Sequence, residues 1–303
     1  MKYDSLFALM EAFPDEESCV RHLEKLRWPT GMVCPRCGSS KKIFRVSRGS
    51  IYKCSECRNQ FSVRKGTIFE ESRLPLRKWF AAAWLITSNR KGIASTQLAR
   101  EIGVTQKTAW FMLGRLREVA GAICDSGGPM DGTVEADETY IGGKEKNKHA
   151  SKRQNLGRGT VGKAVVIGAR QRAGRLKAAL IDGTTKAEIH KFIMETVNLR
   201  STIYTDDHSS YLGLDGYIHR SVNHSAGQYV HGDIHTNGIE SFWALLKRGH
   251  YGIFHMMSAK HLGRYLAEFE ARWNMGSLGG SGRVDRMLES SPGLRLTYER
   301  LIA

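Results

Sequence analysis

The sequence predicts a multidomain α/β protein: a small cysteine-paired module and a helical segment, then a mixed sheet with flanking helices. Three observations predict it. Two Cys-x2-Cys pairs lie sixteen residues apart, two short helical patterns meet at a Gly, and a Gly-rich break precedes a run of short strands and helices.

The 303 residues suffice for two or three domains, and 41% hydrophobic with 25% charged residues is a globular composition. A formal charge of +16 and a pI near 9.7 favour a polyanionic partner, most often nucleic acid. The longest apolar run, WFAAAWLI (Trp79 to Ile86), falls well short of the roughly 20 residues a membrane span needs, so no membrane partner is expected. The first residues turn acidic early and offer no small-residue cleavage site, so the expected location is the reducing cytoplasm, at the nucleoid.

In that compartment Cys34, Cys37, Cys54 and Cys57 read as a structural zinc site. Two residues between cysteines let both sulfurs of a tight turn face one tetrahedral ion. KKIFRVSRGSIYK alternates and turns at Gly49, and QFSVRKGTIF adds a strand, which together make a zinc ribbon. So short a segment buries little apolar surface, and metal binding worth about 10–16 kcal/mol would drive its folding. Cys19 and Cys124 lack partners and read as buried thiols.

RLPLRKWFAAAWLITSN follows helical spacing with Leu76, Trp79, Phe80, Ala83, Trp84 and Thr87 inward. Ser95 then caps a helix carrying Leu98, Ala99 and Ile102, Gly103 makes a turn, and Thr105 caps a second helix with Ala109, Met112, Leu113 and Leu116 inward. That is a helix-turn-helix pattern, with Gln106, Lys107 and Thr108 where side chains reach base edges and Arg115 and Arg117 nearby. DNA is therefore the expected partner.

CDSGGPMDG marks a boundary. Beyond it TVEADETYI alternates, with Glu135, Asp137 and Thr139 on one side. VGKAVVIGARQ and RLKAALIDG give two more strands, KAEIHKFIMETVN a helix, STIYTDD a fourth strand, GYIHRSVNH a fifth, and NGIESFWALLKRGHYG and AKHLGRYLAEFEARWNM closing helices. The order matches a ribonuclease H-like fold, in which the first strand lies centrally beside the fourth. Asp137 and Asp206 would then be neighbours, and the helix after the fifth strand would bring Glu240 to them. The long basic segment GGKEKNKHASKRQNLGRGTVG reads equally as a solvated loop or a phosphate contact.

Three clustered acids repel, at about 1 kcal/mol per pair at 4 Å in water and about 4 kcal/mol near a protein surface. Such a set persists by binding cations, and hard carboxylate oxygens suit two Mg²⁺ or Mn²⁺ ions, as in phosphodiester displacement. Asp207 rivals Asp206, because strand phase does not separate them. Asn237 reads as an N-cap three residues before Glu240 or as a neighbour of the ligand set. Lys247, nearly two turns after Glu240 and followed by Arg248, suits a DNA phosphate. His224, His231 and His235 read as loop histidines, with His235 nearest Glu240 and best placed for a supporting or DNA contact.

DEESCVRHLEKLRWPTGMVCPRCGS, the second knuckle, VEADETYIGGKEKNK, YTDDHSSY and HTNGIESFWALLKRG together resemble the DDE transposases of bacterial insertion sequences, of the ISXO type, from about Asp15 to Asn274. The resemblance implies Asp137, Asp206 and Glu240 as catalytic Mg²⁺ or Mn²⁺ ligands, with Asn237 and Lys247 beside them. It also implies recognition of terminal inverted repeats, metal-dependent strand cleavage and transfer, and homo-oligomerisation on DNA. The expected layout is an N-terminal helical segment (1–28), a zinc ribbon (29–72), a helix-turn-helix region (73–122), a linker (123–132), a ribonuclease H-like catalytic domain (133–275) and a C-terminal tail (276–303).

Overall fold

A computed structural model describes residues 2–47, 50–143, 149–152, 160, 162–172, 174–222, 230 and 232–303. The chain divides into two units, one of Met1–Asn89, Ile93–Ile123 and Met275–Ala303, the other of Arg90–Gly92 and Cys124–Asn274.

The first unit begins with two capped helices. Ser5 accepts the Ala8 N–H ahead of α1 (Leu6–Ala12), and Asp15 and Ser18 form a reciprocal box ahead of α2 (Glu16–Arg27). The ribbon follows as three antiparallel strands, β1 (Ile43–Ser47), β2 (Ile51–Cys54) and β3 (Gln60–Ser62). Gly49, where the hairpin was expected to turn, lies outside the described residues, but Ser47 pairs with Ile51 around it. Each cysteine knuckle is followed by a left-handed residue, Gly38 at φ 72° and Arg58 at φ 57°. Only the first knuckle uses the residue suited to that conformation.

Three helices come next: α3 (Leu76–Ser88), α4 (Ser95–Ile102) and α5 (Gln106–Asp125). The expected inward positions of α3 are all buried, and so are Ala81, Ala82, Leu85 and Ile86. The helix is covered on several sides because α1, α2 and α4 pack on it together with a segment from the far end of the chain. Gly103 ends α4 at φ 63° and Thr105 Oγ1 accepts the Thr108 N–H, as the sequence indicates. Ser95 differs from its expected role. Ala94 holds the cap position without a side-chain bond, and Ser95 Oγ accepts from Gln106 Nε2 at 2.9 Å, tying α4 to the start of α5.

The segment 276–303, set apart in the sequence as a tail, is helical and belongs to this first unit. α9 (Gly280–Glu289) lies on α3, where a Cβ on Gly280 would come within 2.4 Å of the Trp84 ring. Asp285 Oδ1 meets the Tyr3 hydroxyl at 3.2 Å and His22 Nε2 at 2.7 Å. Pro292 bridges Thr67, and α10 (Tyr298–Ile302) sets Leu301 against Gly114 of α5.

The second unit is a five-stranded mixed sheet between helical layers. Its strands are β4 (Thr133–Ile141), β5 (Ala164–Gln171), β6 (Leu176–Ile181), β7 (Thr202–Asp206) and β8 (Ile218–Val222), in the spatial order β6-β5-β4-β7-β8. β4, β5 and β6 pair antiparallel, while β4–β7 and β7–β8 are parallel. The central first strand beside the fourth is the ribonuclease H-like arrangement. Val134, Ala136, Ile167 and Ala169 pack with Ile189, Phe192 and Ile193 of α6 (Lys186–Thr196). On the opposite face Val166, Leu176 and Ala178 pack with Ile239, Phe242, Trp243 and Leu246 of α7 (Asn237–Gly249) and with Leu262, Leu266 and Phe269 of α8 (Ala259–Asn274). The period of two along a strand therefore directs Glu135 and Asp137 to the α7 layer and Glu138 to the α6 layer. No helix among the described residues is long and apolar enough to cross a membrane.

If 276–303 were a loose tail, Leu288→Ala would change stability by less than about 0.5 kcal/mol. Leu288 is 1% exposed, so the expected loss is about 2–5 kcal/mol, read from the urea midpoint and slope.

Candidate active site

Two groups of side chains carry chemistry. In the ribbon, Cys34, Cys37, Cys54 and Cys57 present four sulfurs within 4.8 Å of one another. Cys34 Sγ lies 3.6 Å from that of Cys57, and Cys37 Sγ lies 3.7 Å from that of Cys54, which crosses the two knuckles over one point. Burial raises the Cys34 thiol, but the N–H groups of Cys37 and Arg36 and the neighbouring thiols outweigh it and bring it down to about 7. Four soft donors converging at this spacing fit a tetrahedral zinc ion.

The second group is on the sheet. β4 and β7 pair in parallel with Thr133 opposite Thr202 and Glu135 opposite Tyr204. Carrying that register two residues on sets Asp137 level with Asp206. Burial, with the carboxylates of Glu138 and Asp206 close by, pushes Asp137 up to about 7. Burial and Asp206 also raise Glu138, against the 2.7 Å hydrogen bond it accepts from the Tyr211 hydroxyl. Asp207 is exposed and lies beyond the end of β7, so Asp206 is the neighbour of Asp137.

α7 brings the third acid. It docks on β4 through two acceptors on the same strand face: Glu135 Oε2 takes the Ile239 N–H at 3.0 Å, and Asp137 Oδ2 takes Trp243 Nε1–H at 3.0 Å. Glu240 stands one turn before Trp243, and its Oε1 accepts from Thr236 Oγ1 at 2.7 Å. The N-cap is thus Thr236, while Asn237 is the exposed first residue of the helix and supplies no cap. Each of the three acids has at least one oxygen engaged by the protein, since Asp206 Oδ1 accepts the His208 N–H at 3.1 Å. Among the described residues only the four cysteines gather three or more ligand atoms within 4.8 Å, so Asp137, Asp206 and Glu240 do not all close to that distance. Hard oxygens around a carboxyl that gives up its proton only near neutrality are a donor set that a Mg²⁺ or Mn²⁺ ion fits, since a cation offsets the cost of the charged form.

Glu135 was not singled out in the sequence. It is fully buried, with Arg170 at 3.5 Å, Arg172 at 3.3 Å and His235 Nδ1 at 3.5 Å. His235 therefore faces Glu135. A Cβ on Gly238 would lie 2.6 Å from Glu135 Oε2, so only glycine lets α7 start this close to the strand. The available signal was the pair Glu135 and Asp137 two apart on one strand. His224 and His231, and most of the basic segment after Gly143, lie outside the described residues.

The expected DNA contacts divide. Gln106 and Lys107 are exposed at the start of α5 and Thr108 is half-buried, with the Lys107 ammonium over the Tyr298 ring. Arg115 is a correction: it is buried, and its guanidinium donates to the carbonyls of Ile68, Glu70 and Leu296. It occurs at a helical position that faces the core, where its five donors satisfy main-chain acceptors. Arg117 is buried too. Lys247 and Arg248 border a groove with Lys91, Tyr251, Gly252 and Ile253, formed where α7 passes into a π-helical turn, His250–Phe254.

A ribonuclease H-like mixed sheet with Asp137 within its central strand and Asp206 at the end of the neighbouring one, preceded in the chain by a four-cysteine ribbon, is the combination the comparisons address. Residues 129–274 match the ISXO2-like transposase domain and residues 14–60 the transposase zinc-ribbon domain, so in both segments the chain resembles the ISXO-type insertion-sequence transposases. An uncharacterised protein of the transposable element ISH50 from Halobacterium salinarum is 29% identical over 301 residues, covering 93% of this chain and 99% of that relative.

Cys34→Ser should lower bound zinc from one equivalent per chain to below half, measured by atomic emission on dialysed protein, and broaden the amide spectrum of the ribbon. Glu135→Gln leaves two guanidinium groups facing a neutral amide. It should cost about 2–3 kcal/mol in urea unfolding, below the roughly 3–5 kcal/mol of a fully buried pair because both arginines are partly exposed.

Proposed function

We propose that the chain is a DNA transposase that binds the terminal inverted repeats of an insertion sequence and cleaves and joins strands with two divalent metal ions. The observation that carries the proposal is the shared level of Asp137 and Asp206 on adjacent parallel strands, with Glu240 on a helix docked to the same strand. Its setting in a segment that matches a transposase domain supports it.

Bound Mg²⁺ or Mn²⁺ would activate the attacking oxygen and stabilise the leaving one. The chain supplies the rest. Asp137, Asp206 and Glu240 offer carboxylate oxygens from three separate elements, and the buried floor of the site lowers the dielectric around them. Lys247 and Arg248 take DNA phosphates further along α7. Gln106, Lys107 and Thr108 at the start of α5 reach base edges, and the zinc ribbon adds a second contact to the element end. Homo-oligomerisation on DNA would bring two ends together, in the cytoplasm where the chromosome lies. Asn237 and His235 flank the set, Asn237 at the open end of α7 and His235 beside the buried Glu135.

Incubation with labelled element ends and Mg²⁺ tests the proposal, scoring nicked and joined products separately. Wild-type protein should give both, whereas Asp137→Asn and Glu240→Gln should lower cleavage by at least about 100-fold with end binding unchanged. Cleavage retained in both variants would sink the assignment, and nicking without any joining would reduce the activity to hydrolysis.

A further inference from the structure

The docking of α7 on β4 has a definite pitch. Glu135 and Asp137 are two residues apart on a strand, an advance of about 6.7 Å. Their partners Ile239 and Trp243 are four residues apart on a helix, an advance of about 6 Å. Strand and helix thus run side by side in the same direction with nearly matched rise, and both bonds form at 3.0 Å. The upper bond needs room for an indole. Gly168 supplies it: this residue pairs with Asp137 across β5, and a Cβ there would lie 2.7 Å from Trp243 Cη2 and 2.9 Å from Ile239 Cδ1. Trp243 is 3% exposed, so its N–H has no water to compete for it and the ring has no space to turn.

We propose that Trp243 is a positioning residue for the metal-binding carboxylate. Its indole N–H holds Oδ2 of Asp137 and leaves Oδ1 as the oxygen presented to a divalent cation. Without the donor, Asp137 turns away from the negative charge of Asp206 and Glu138. The inference rests on the reading of Asp137 as a metal ligand given above.

The test is Mn²⁺ binding by the full chain with its ribbon zinc in place, following free Mn²⁺ by electron paramagnetic resonance. Trp243→Phe keeps an aromatic ring in the core and removes the N–H. It should weaken Mn²⁺ binding roughly tenfold, with strand nicking recovering at saturating Mn²⁺. Asp137→Asn should remove that binding, and excess metal should not restore nicking. Gly168→Ala retains Trp243 but displaces its ring, and should weaken Mn²⁺ binding in the same direction; it decides the matter if Trp243→Phe fails to fold. If Asp137→Asn abolishes binding while the Trp243 or Gly168 variant, folded, binds as the wild type does, the positioning role is overturned and the metal site stands. If Asp137→Asn itself binds Mn²⁺ normally, both readings fall.

Discussion

The seating of α7 against β4 is the constraint on which the second unit depends. It is made by two carboxylates that a strand presents on one face, each taking a hydrogen from the helix: a main-chain N–H for Glu135 and an indole N–H for Asp137. Glycines at 168 and 238 remove the side chains that would hold the two elements apart. Apolar packing of Ile239, Phe242 and Leu246 gives this interface its affinity but leaves its register loose. The directional bonds set the register, and with it the height of Glu240 above the sheet.

Two neighbouring acids on β4 therefore serve different ends. Glu135 is paired with the guanidinium groups of Arg170 and Arg172, lies beside His235 and accepts the Ile239 N–H at the start of α7, so its charge serves structure. Asp137 is buried with the carboxylates of Glu138 and Asp206 close by, and its charge is held at a cost that a divalent ion would relieve. Strand periodicity gives both residues the same face. The neighbouring charges decide which of them becomes the structural anchor.

Much of this was legible in the sequence, for identifiable reasons. The ribbon shows because metal geometry tolerates little variation in cysteine spacing. The strand order shows because alternation and helical periodicity are local properties. The adjacency of Asp137 and Asp206 follows from a strand order in which the first strand lies beside the fourth. What stayed hidden depends on partners distant in the chain. The role of Glu135 requires knowing that residues 170, 172, 235 and 239 surround it. Arg115 carries a charge and sits in a helix-turn-helix pattern, which suggests a nucleic-acid contact, but main-chain carbonyls at 68, 70 and 296 claim its donors. The cap position of α7 is Thr236 rather than Asn237, since the Thr236 carbonyl already accepts the Glu240 N–H.

The return of residues 275–303 to the first unit bears on how the protein is made. They leave the ribosome after the whole of the second unit, yet α9 covers α3 and α10 meets α5. The ribbon can close as soon as its cysteines emerge, whereas the helices beside it wait, with Trp84 uncovered, until synthesis has passed the sheet. Translation order thus delays completion of the first unit until the sheet of the second already exists, and a message cut short after the sheet would yield chains whose first unit never finishes folding.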